Sequence, residues 1–180
     1  MALVARLKSG EALGDRVLKV DHAGEHGAVC IYTAQIWLAR WRAPDMVNEL
    51  AHFRDHERGH RARFGAVLEA RGLRRCRSYH LCAIGGFALG MATGLLGRGA
   101  IAATTVAVER VVLRHLHEQI EALEAVDGEA TFALRQIIAE EQQHHDISAA
   151  RTSVGSRCFK VVNAIVAAST EAVIWLGMRL

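Results

Sequence analysis

Proline is almost absent from this sequence, and aromatic residues are scarce. The 180 residues include one proline, and aromatic residues make up 6%. So little proline does not fit a loop-rich protein or a β protein with many turns. Hydrophobic residues make up 51%, which is enough for a substantial core and excludes the disordered and fibrous classes. The length fits a single domain that spans residues 1–180.

Cysteine pairs and strong charge are also missing. Cys30, Cys76, Cys82 and Cys158 form no C-x-x-C pair, which excludes a Cys-type zinc knuckle and predicts reduced thiols. The net charge is only +3 and no basic face is interleaved with aromatic residues, so we expect no nucleic-acid partner. Residues 1–10 are too short and too charged for a signal peptide and lack the Ser/Arg-rich amphipathic length of a transit peptide. We therefore expect the protein to stay in the compartment where it is made or on the membrane that borders it.

Apolar residues recur with the 3.6-residue period of helices, and no stretch alternates with the period of a strand. The pattern predicts an all-α fold in which four long helices bury their apolar stripes in a bundle. Two shorter, more apolar helices are added to the four. The predicted helices cover residues 11–42, 44–72, 81–97, 100–126, 129–153 and 157–178.

Each long helix carries one glutamate inside its apolar stripe. The four are Glu25, Glu57, Glu109 and Glu141. An unpaired carboxylate is costly in an apolar core, so such groups are paired, protonated or bound to a metal. Four of them, one from each helix, indicate a shared centre.

Two of these glutamates begin E-x-x-H motifs, which end at His60 and His144. Residues three apart lie on the same face of a helix, so the glutamate and the histidine can bind one centre. Residues of the first half recur 84 positions later as the pairs Glu25–Glu109, Glu57–Glu141, His60–His144 and Gln35–Gln119. One glutamate from each of two helices, with E-x-x-H from each of the other two, is the ligand set of a carboxylate-bridged di-iron site.

Two alternatives remain at this point. His56 extends the first motif to H-E-x-x-H, the zinc-peptidase motif, in which both histidines bind zinc and the glutamate is the base. That alternative gives no role to Glu25, Glu109, Glu141 and His144, and no strand is predicted that would hold a peptide. The other alternative is a set of solvated glutamates on exposed faces, which the flanking apolar residues disfavour.

Several stretches carry a family resemblance. They are VDHAGE at 20–25, GFALG at 86–90, TVAVE at 105–109 and EEQQHHDI at 140–147. On these residues, and over about residues 18–180, the chain resembles the demethoxyubiquinone hydroxylase family, the ferritin-like di-iron monooxygenases of ubiquinone biosynthesis. The resemblance implies a ferritin-like four-helix bundle with two additional apolar helices. It also implies hydroxylation of the benzoquinone ring of a polyprenylated demethoxyubiquinone-type precursor.

The resemblance implies two iron ions per chain, with O₂ and electrons from NADH as co-substrates. The implied iron ligands are Glu25, Glu57, His60, Glu109, Glu141 and His144. Of these, Glu57 and Glu141 would bridge the irons, Glu25 and Glu109 would be terminal, and one histidine would bind each iron. Ligand histidines usually donate their other N–H to an acceptor, and Asp146 is the nearest acid in sequence.

A polyprenyl quinone is located in a lipid bilayer, and several segments of the sequence have the composition of membrane-contacting segments. Residues 81–97 carry no charge, residues 158–180 are apolar along one side, and we expect both to form membrane-interface helices. Residues 54–77 hold eight arginines and three acids, which suits anionic headgroups. Alternatively, Gly86, Gly90 and Gly94 permit close helix packing, within the chain or in a homo-oligomer.

These expectations place the protein peripherally on the cytoplasmic face of a bacterial cell membrane, or on the mitochondrial inner membrane if it is organellar. A lipid-binding protein of the ubiquinone pathway is a possible partner. Two other functions compete with the hydroxylase. One is a ferritin- or rubrerythrin-like protein that stores iron or scavenges peroxide, and the other is a non-catalytic lipid-binding scaffold.

Overall fold

Helices make up nearly all of the regular structure. The computed structural model describes residues 5–152 and 157–180, and these contain no strand, which confirms the all-α prediction. The helices are α1 (Leu13–Arg42), α2 (Val47–Ala70), α3 (Tyr79–Leu96), α4 (Arg98–Leu123), α5 (Gly128–Arg135), α6 (Ile138–Ala150) and α7 (Arg157–Gly177). A 3-10 turn, Pro44–Met46, joins α1 to α2. The predicted break at Gly155-Ser156 and the side chain of Cys158 lie outside what is described.

A four-helix bundle is formed by α1, α2, α4 and the pair α5–α6. Its largest apolar cluster joins Leu18 of α1, Phe64 of α2, Leu116 of α4 and Leu134 of α5, all nearly inaccessible to solvent. Burial of such side chains contributes about 1.5–3 kcal/mol each. The bundle therefore has a continuous core in which any polar group needs a specific partner.

The prediction of one continuous helix over residues 129–153 is wrong. The chain turns between α5 and α6, where Ile137 N donates to Leu134 O and Glu140 N donates to Ile137 O. These i to i+3 bonds tighten the backbone without any proline or glycine. Ile137 is fully buried at the turn, so tertiary packing and not a helix-breaking residue decides the interruption.

Two helix ends depend on glycine. Gly72 after α2 has φ +65°, and Leu73 N donates back to Leu68 O across it. Gly97 after α3 has φ +85° and donates to Thr93 O. Other residues rarely adopt this left-handed conformation, so both glycines end a helix where the sequence predicted an end.

The glycine face of α3 packs against α1. A Cβ at Gly86 would lie 2.3 Å from Gly27 O, and a Cβ at Gly90 would lie 2.3 Å from Ile31 O. Any side chain there would push the helices apart, so the predicted close packing occurs within the chain. The opposite face of α3 remains exposed, with Ile84 at 70% and Leu96 at 63%.

The start of α1 is fastened to the end of α7 by a buried ionic group. Arg16 donates to Gly177 O, and its guanidinium also binds Glu11 at 2.5 Å. Lys19 Nζ lies 2.8 Å from the same carboxylate. Burial opposes ionisation, but the hydrogen bonds from Arg16 and Lys19 prevail and lower the pKa of Glu11 to about 2. The ion pair with Glu11 thus holds Arg16 in place, and the hydrogen bond from Arg16 to Gly177 O links the start of α1 to the end of α7.

Replacing Glu11 by glutamine should lower the free energy of unfolding at pH 7 by about 1–3 kcal/mol. Because the folded-state pKa is depressed from 4.5, this stabilisation is present above pH 4.5 and is lost as the pH falls through about 2. Urea unfolding of both proteins at several pH values measures the difference. Glu124→Gln, which removes an exposed ion pair with Arg135, should change almost nothing. Equal effects of the two substitutions would refute the buried linkage.

Candidate metal centre and substrate cavity

The structure brings the six predicted ligand residues together in the interior of the bundle. Glu25 lies on α1, Glu57 and His60 on α2, Glu109 on α4, and Glu141 and His144 on α6. Both histidines are fully buried, and the glutamates are 1–6% exposed. Each side chain points inward because it lies in the apolar stripe of its own helix.

The six residues form two overlapping groups whose potential ligand atoms lie within 4.8 Å of one another. One group contains Glu25 and His60, and the other contains Glu109 and His144. Glu57 and Glu141 belong to both. The two groups thus share two carboxylates, and each has one glutamate and one histidine of its own.

The Nδ1 atoms of both histidines face the carboxylates. His60 Nδ1 lies 2.9 Å from Glu141 Oε1 and 3.8 Å from Glu25 Oε2. His144 Nδ1 lies 3.2 Å from Glu57 Oε1. Despite these distances, four buried atoms of the cluster have no hydrogen-bond partner: Glu57 Oε1, Glu141 Oε2, His60 Nδ1 and His144 Nδ1.

Buried polar atoms are normally hydrogen-bonded, and leaving one unpaired costs about 1–3 kcal/mol. Here the unpaired atoms are carboxylate oxygens and imidazole nitrogens that converge on one place. Such atoms are metal donors, and the cluster has four carboxylates for two histidines. The donor set therefore fits metal cations better than a closed hydrogen-bond network.

The electrostatics of the cluster point the same way. Burial, with the neighbouring carboxylate Glu57, raises the pKa of Glu25 well above its usual value. Burial together with Glu141 and Glu57 does the same to the pKa of Glu109. Burial alone would lower the pKa of His144, but the nearby carboxylates of Glu141 and Glu57 raise it to about 9. Without a metal, protons must supply the positive charge that the cluster lacks.

The outward nitrogens of the two histidines have different partners. His60 Nε2 lies 2.6 Å from Glu140 Oε2, and His144 Nε2 lies 3.0 Å from His56 Nδ1. Residues 56 and 140 are themselves 84 positions apart, so the contacts are related by the internal repeat. The repeat could have identified both partners, but sequence reasoning missed them because it looked only for the nearest acid.

Asp146 contacts neither ligand histidine. Its carboxylate is 64% exposed and accepts hydrogen bonds from Gln142 and His145. It follows His144 by two positions, so it lies on the opposite side of α6. The acid that contacts a ligand histidine is instead Glu140, which precedes the second E-x-x-H motif and lies beside His60.

Replacing Glu140 by glutamine should weaken metal binding about 10–100-fold, because the carboxylate orients His60 and makes its ring more basic. Competition for Co²⁺ against a chelator measures the affinity. Asp146→Asn is the matched control on the same helix and should leave the affinity unchanged. An equal loss in both variants would contradict the assigned contact.

The zinc-peptidase alternative does not fit this geometry. His56 belongs to neither group of potential ligands among the described residues, and its Nδ1 faces His144. The two histidines of the H-E-x-x-H motif therefore do not converge on one ion. The solvated-glutamate alternative fails because the four carboxylates are buried.

An apolar cavity of about 320 Å³ reaches this cluster. Residues of α1, α3, α4 and α7 surround it, among them Ala28, Leu89, Val112 and Val173. The four ligand glutamates also line it. Its volume is in the usual range for small-molecule sites, and its apolar walls end at the buried carboxylates.

Comparison with known proteins identifies the family. The family model described as Ubiquinone biosynthesis protein COQ7 matches residues 12–177. A Rhodospirillum rubrum protein named 3-demethoxyubiquinol 3-hydroxylase is 35% identical over 175 residues, covering 95% of this chain and 80% of its own length. A Homo sapiens protein named NADPH-dependent 3-demethoxyubiquinone 3-hydroxylase, mitochondrial, is 34% identical, covering 92% of this chain and 77% of its own length. The chain therefore belongs to the COQ7 family of ubiquinone biosynthesis proteins.

Proposed function

We propose that this protein hydroxylates the benzoquinone ring of a polyprenylated demethoxyubiquinone-type precursor. The observation that carries the proposal is the apolar cavity that ends on the four buried glutamates. A planar apolar ring inside it would face the candidate centre without intervening solvent. The names of the relatives, which describe hydroxylases of this substrate class, support the same reaction.

The proposed cofactor is a pair of iron ions. Glu25 and His60 would hold one ion, Glu109 and His144 the other, and Glu57 and Glu141 would lie between them. Zinc sites are usually rich in histidine and cysteine, whereas four hard carboxylates with only two imidazoles suit iron. When bound, the pair would supply the electrons needed to activate molecular oxygen.

The chain's own groups would keep this centre dry and rigid. Tyr32 donates a hydrogen bond to Glu109 Oε1 at 2.9 Å and is itself 2% exposed. Phe53 packs against the ring of His144, with the two ring centroids 4.4 Å apart. Water exclusion of this kind protects a reactive centre from side reactions.

The proposed path for the polyprenyl tail lies between α3 and α7. Leu81 and Leu89 of α3 line the cavity on one side, and Val173 and Ile174 of α7 line it on another. Both helices also carry apolar residues on their outer faces. A ring in the cavity could therefore leave its tail in contact with lipid.

We propose that the outer faces of α3 and α7 contact a bilayer. By length and composition alone, Tyr79–Leu96 and Phe159–Gly177 could each cross a membrane, a property that many core helices share. Unlike core helices, however, only 33% and 17% of their residues are buried. Because each packs one face against the bundle, we favour helices that lie in the interface.

Basic residues beside α3 support the same orientation. Arg74, Arg75 and Arg77 are exposed immediately before that helix and would meet anionic headgroups. Arg71 is not available for this role, because it binds Asp127 at 2.7 Å. The membrane would be the bacterial cell membrane at its cytoplasmic face, or the mitochondrial inner membrane for an organellar protein.

The electron source is proposed to be a reduced nicotinamide nucleotide. The family resemblance led us to expect NADH, whereas the human relative is named NADPH-dependent. Turnover with each nucleotide at equal concentration would separate the two.

The ferritin-like alternative is disfavoured because iron storage does not require an apolar cavity of this size.

Deleting the gene in its own host should cause a demethoxy quinone to accumulate and ubiquinone to disappear. Lipid extracts analysed by mass spectrometry test this, and the wild-type gene should restore ubiquinone. Metal analysis of the purified protein should give about two irons per chain. Unchanged ubiquinone in the deletion strain would refute the substrate, and iron-free protein with full activity would refute the cofactor.

A further inference from the structure

The apolar cavity contains one polar pair that the metal centre does not use. Asp21 from α1 and Gln119 from α4 both line it, and Gln119 Nε2 donates to Asp21 Oδ1 at 3.0 Å. Gln119 is only 1% exposed. Neither residue belongs to the groups of potential metal ligands. The pair therefore has no role in holding the proposed metal ions.

Each member of the pair has a second oxygen that is buried and unpartnered. These atoms are Asp21 Oδ2 and Gln119 Oε1. A buried polar atom without a hydrogen bond is unfavourable, and here two such atoms belong to a hydrogen-bonded pair of side chains in the wall of an apolar cavity. A cost of this kind is characteristic of sites that await a ligand.

The free atoms are of one chemical type. A carboxylate oxygen and an amide oxygen both accept hydrogen bonds, and one of the two amide N–H groups of Gln119 is already used within the pair. His115 also lines the cavity, and its Nε2 lies 3.0 Å from Glu171 Oε2. The Nδ1 atom of His115 is buried and has no hydrogen-bond partner.

The pair lies close enough to the centre to touch the same ring. Asp21 precedes Glu25 by four residues, which is one helical turn or about 6 Å along α1. A ring whose edge faces the carboxylate cluster would therefore bring a ring oxygen near Asp21. A quinone carbonyl has no proton to donate to these acceptors, whereas the hydroxyl of a hydroquinone does.

We infer that Asp21 and Gln119 form a hydrogen-bond-accepting subsite for a ring hydroxyl, so that the cavity binds the hydroquinone form of its substrate more tightly than the quinone. This inference rests on the proposed function, because it takes the ligand to be a substituted benzoquinone or its reduced form. Asp21 and Gln119 are then positioning residues that fix the ring against the centre. The relatives' names include both a demethoxyubiquinol and a demethoxyubiquinone.

The test is equilibrium binding under argon of a short-tailed demethoxyubiquinone analogue in both redox forms. The full-length protein is loaded with Zn²⁺, which has no redox chemistry and leaves the ligand unchanged. Burial, only partly offset by the hydrogen bond from Gln119, raises the pKa of Asp21 to about 7, so binding is measured at a pH above 8. The wild-type protein should bind the hydroquinone at least about tenfold more tightly than the quinone.

Asp21→Asn should reduce this preference to less than about threefold, because the new amide can offer a donor where the carboxylate only accepts. Its thermal midpoint and zinc content should match the wild type. Thr170→Val is the matched control: Thr170 lines the cavity, but its hydroxyl already donates to Val166 O. That variant should keep the full preference.

Each other outcome has a distinct meaning. Equal binding of both forms by the wild type, or an unchanged preference in Asp21→Asn, would overturn the subsite and leave the proposed function standing. No binding of either form would overturn the proposed substrate class and the subsite with it. Weaker binding of both forms with altered thermal stability would assign Asp21 a structural role and also overturn the subsite.

Discussion

Replacing Glu109 by glutamine should abolish hydroxylation and lower the metal content from about two ions per chain to one or fewer. The metal-free variant should nevertheless be at least as stable as the metal-free wild type. Burial and the neighbouring carboxylates raise the pKa of Glu109 well above its usual value, which favours the acid form without a metal, and glutamine imitates that form. Tyr32 can still donate to the remaining oxygen. The same substitution thus separates ligation from folding.

The measurements are metal analysis, product formation, and thermal unfolding with and without metal. Added Fe²⁺ should stabilise the wild type and have little effect on the variant, because a ligand that binds only the folded state stabilises it. Glu121→Gln, at an exposed position of the same helix, should leave every quantity unchanged. Full metal content in Glu109→Gln would contradict the assigned site, and simple unfolding would contradict the electrostatic argument.

A phenylalanine in place of Gly24 should block the cavity while leaving the metal centre intact. Gly24 lies inside α1, lines the cavity and is exposed, and a Cβ added there would meet nothing within 4 Å. A large side chain can therefore enter the chamber without disturbing the helix packing. We expect kcat/KM to fall by at least about tenfold, because the ring can no longer reach its productive position.

Two observations distinguish blockage from damage. Metal content and thermal midpoint should equal those of the wild type, since a helical glycine is replaced where space is open. Gly99→Phe, at an exposed and equally open position of α4 that does not line the cavity, should keep full activity. If Gly24→Phe turned over substrate normally, the cavity would not be the route to the centre.

The candidate metal centre could be predicted from the sequence because its glutamates lie among apolar residues on the same helical faces. A glutamate between leucine and valine on one helical face is costly, and the same conflict recurs 84 residues later with the same spacing. The internal repeat then related Glu25 to Glu109 and His60 to His144. All six residues predicted in this way meet in the folded chain.

Contacts between segments that are distant in sequence were harder to predict. Glu140 and His56 reach the ligand histidines across the bundle, whereas Asp146, close to His144 in sequence, is exposed. The turn before Ile138 also has no local signal, since neither glycine nor proline marks it. In both cases the deciding energy comes from packing between helices, which the pattern along a single helix does not contain.

The amino-acid order alone determined the helical class, the family and the inward position of four glutamates and two histidines, because helical periodicity and the cost of buried charge act within one segment. Only the tertiary structure decided which face of α3 packs on α1, which groups contact the histidines, and where Asp21 meets Gln119 in an apolar chamber. These features arise where separate helices approach each other. Their geometry depends on how the side chains of all neighbouring helices fill space together.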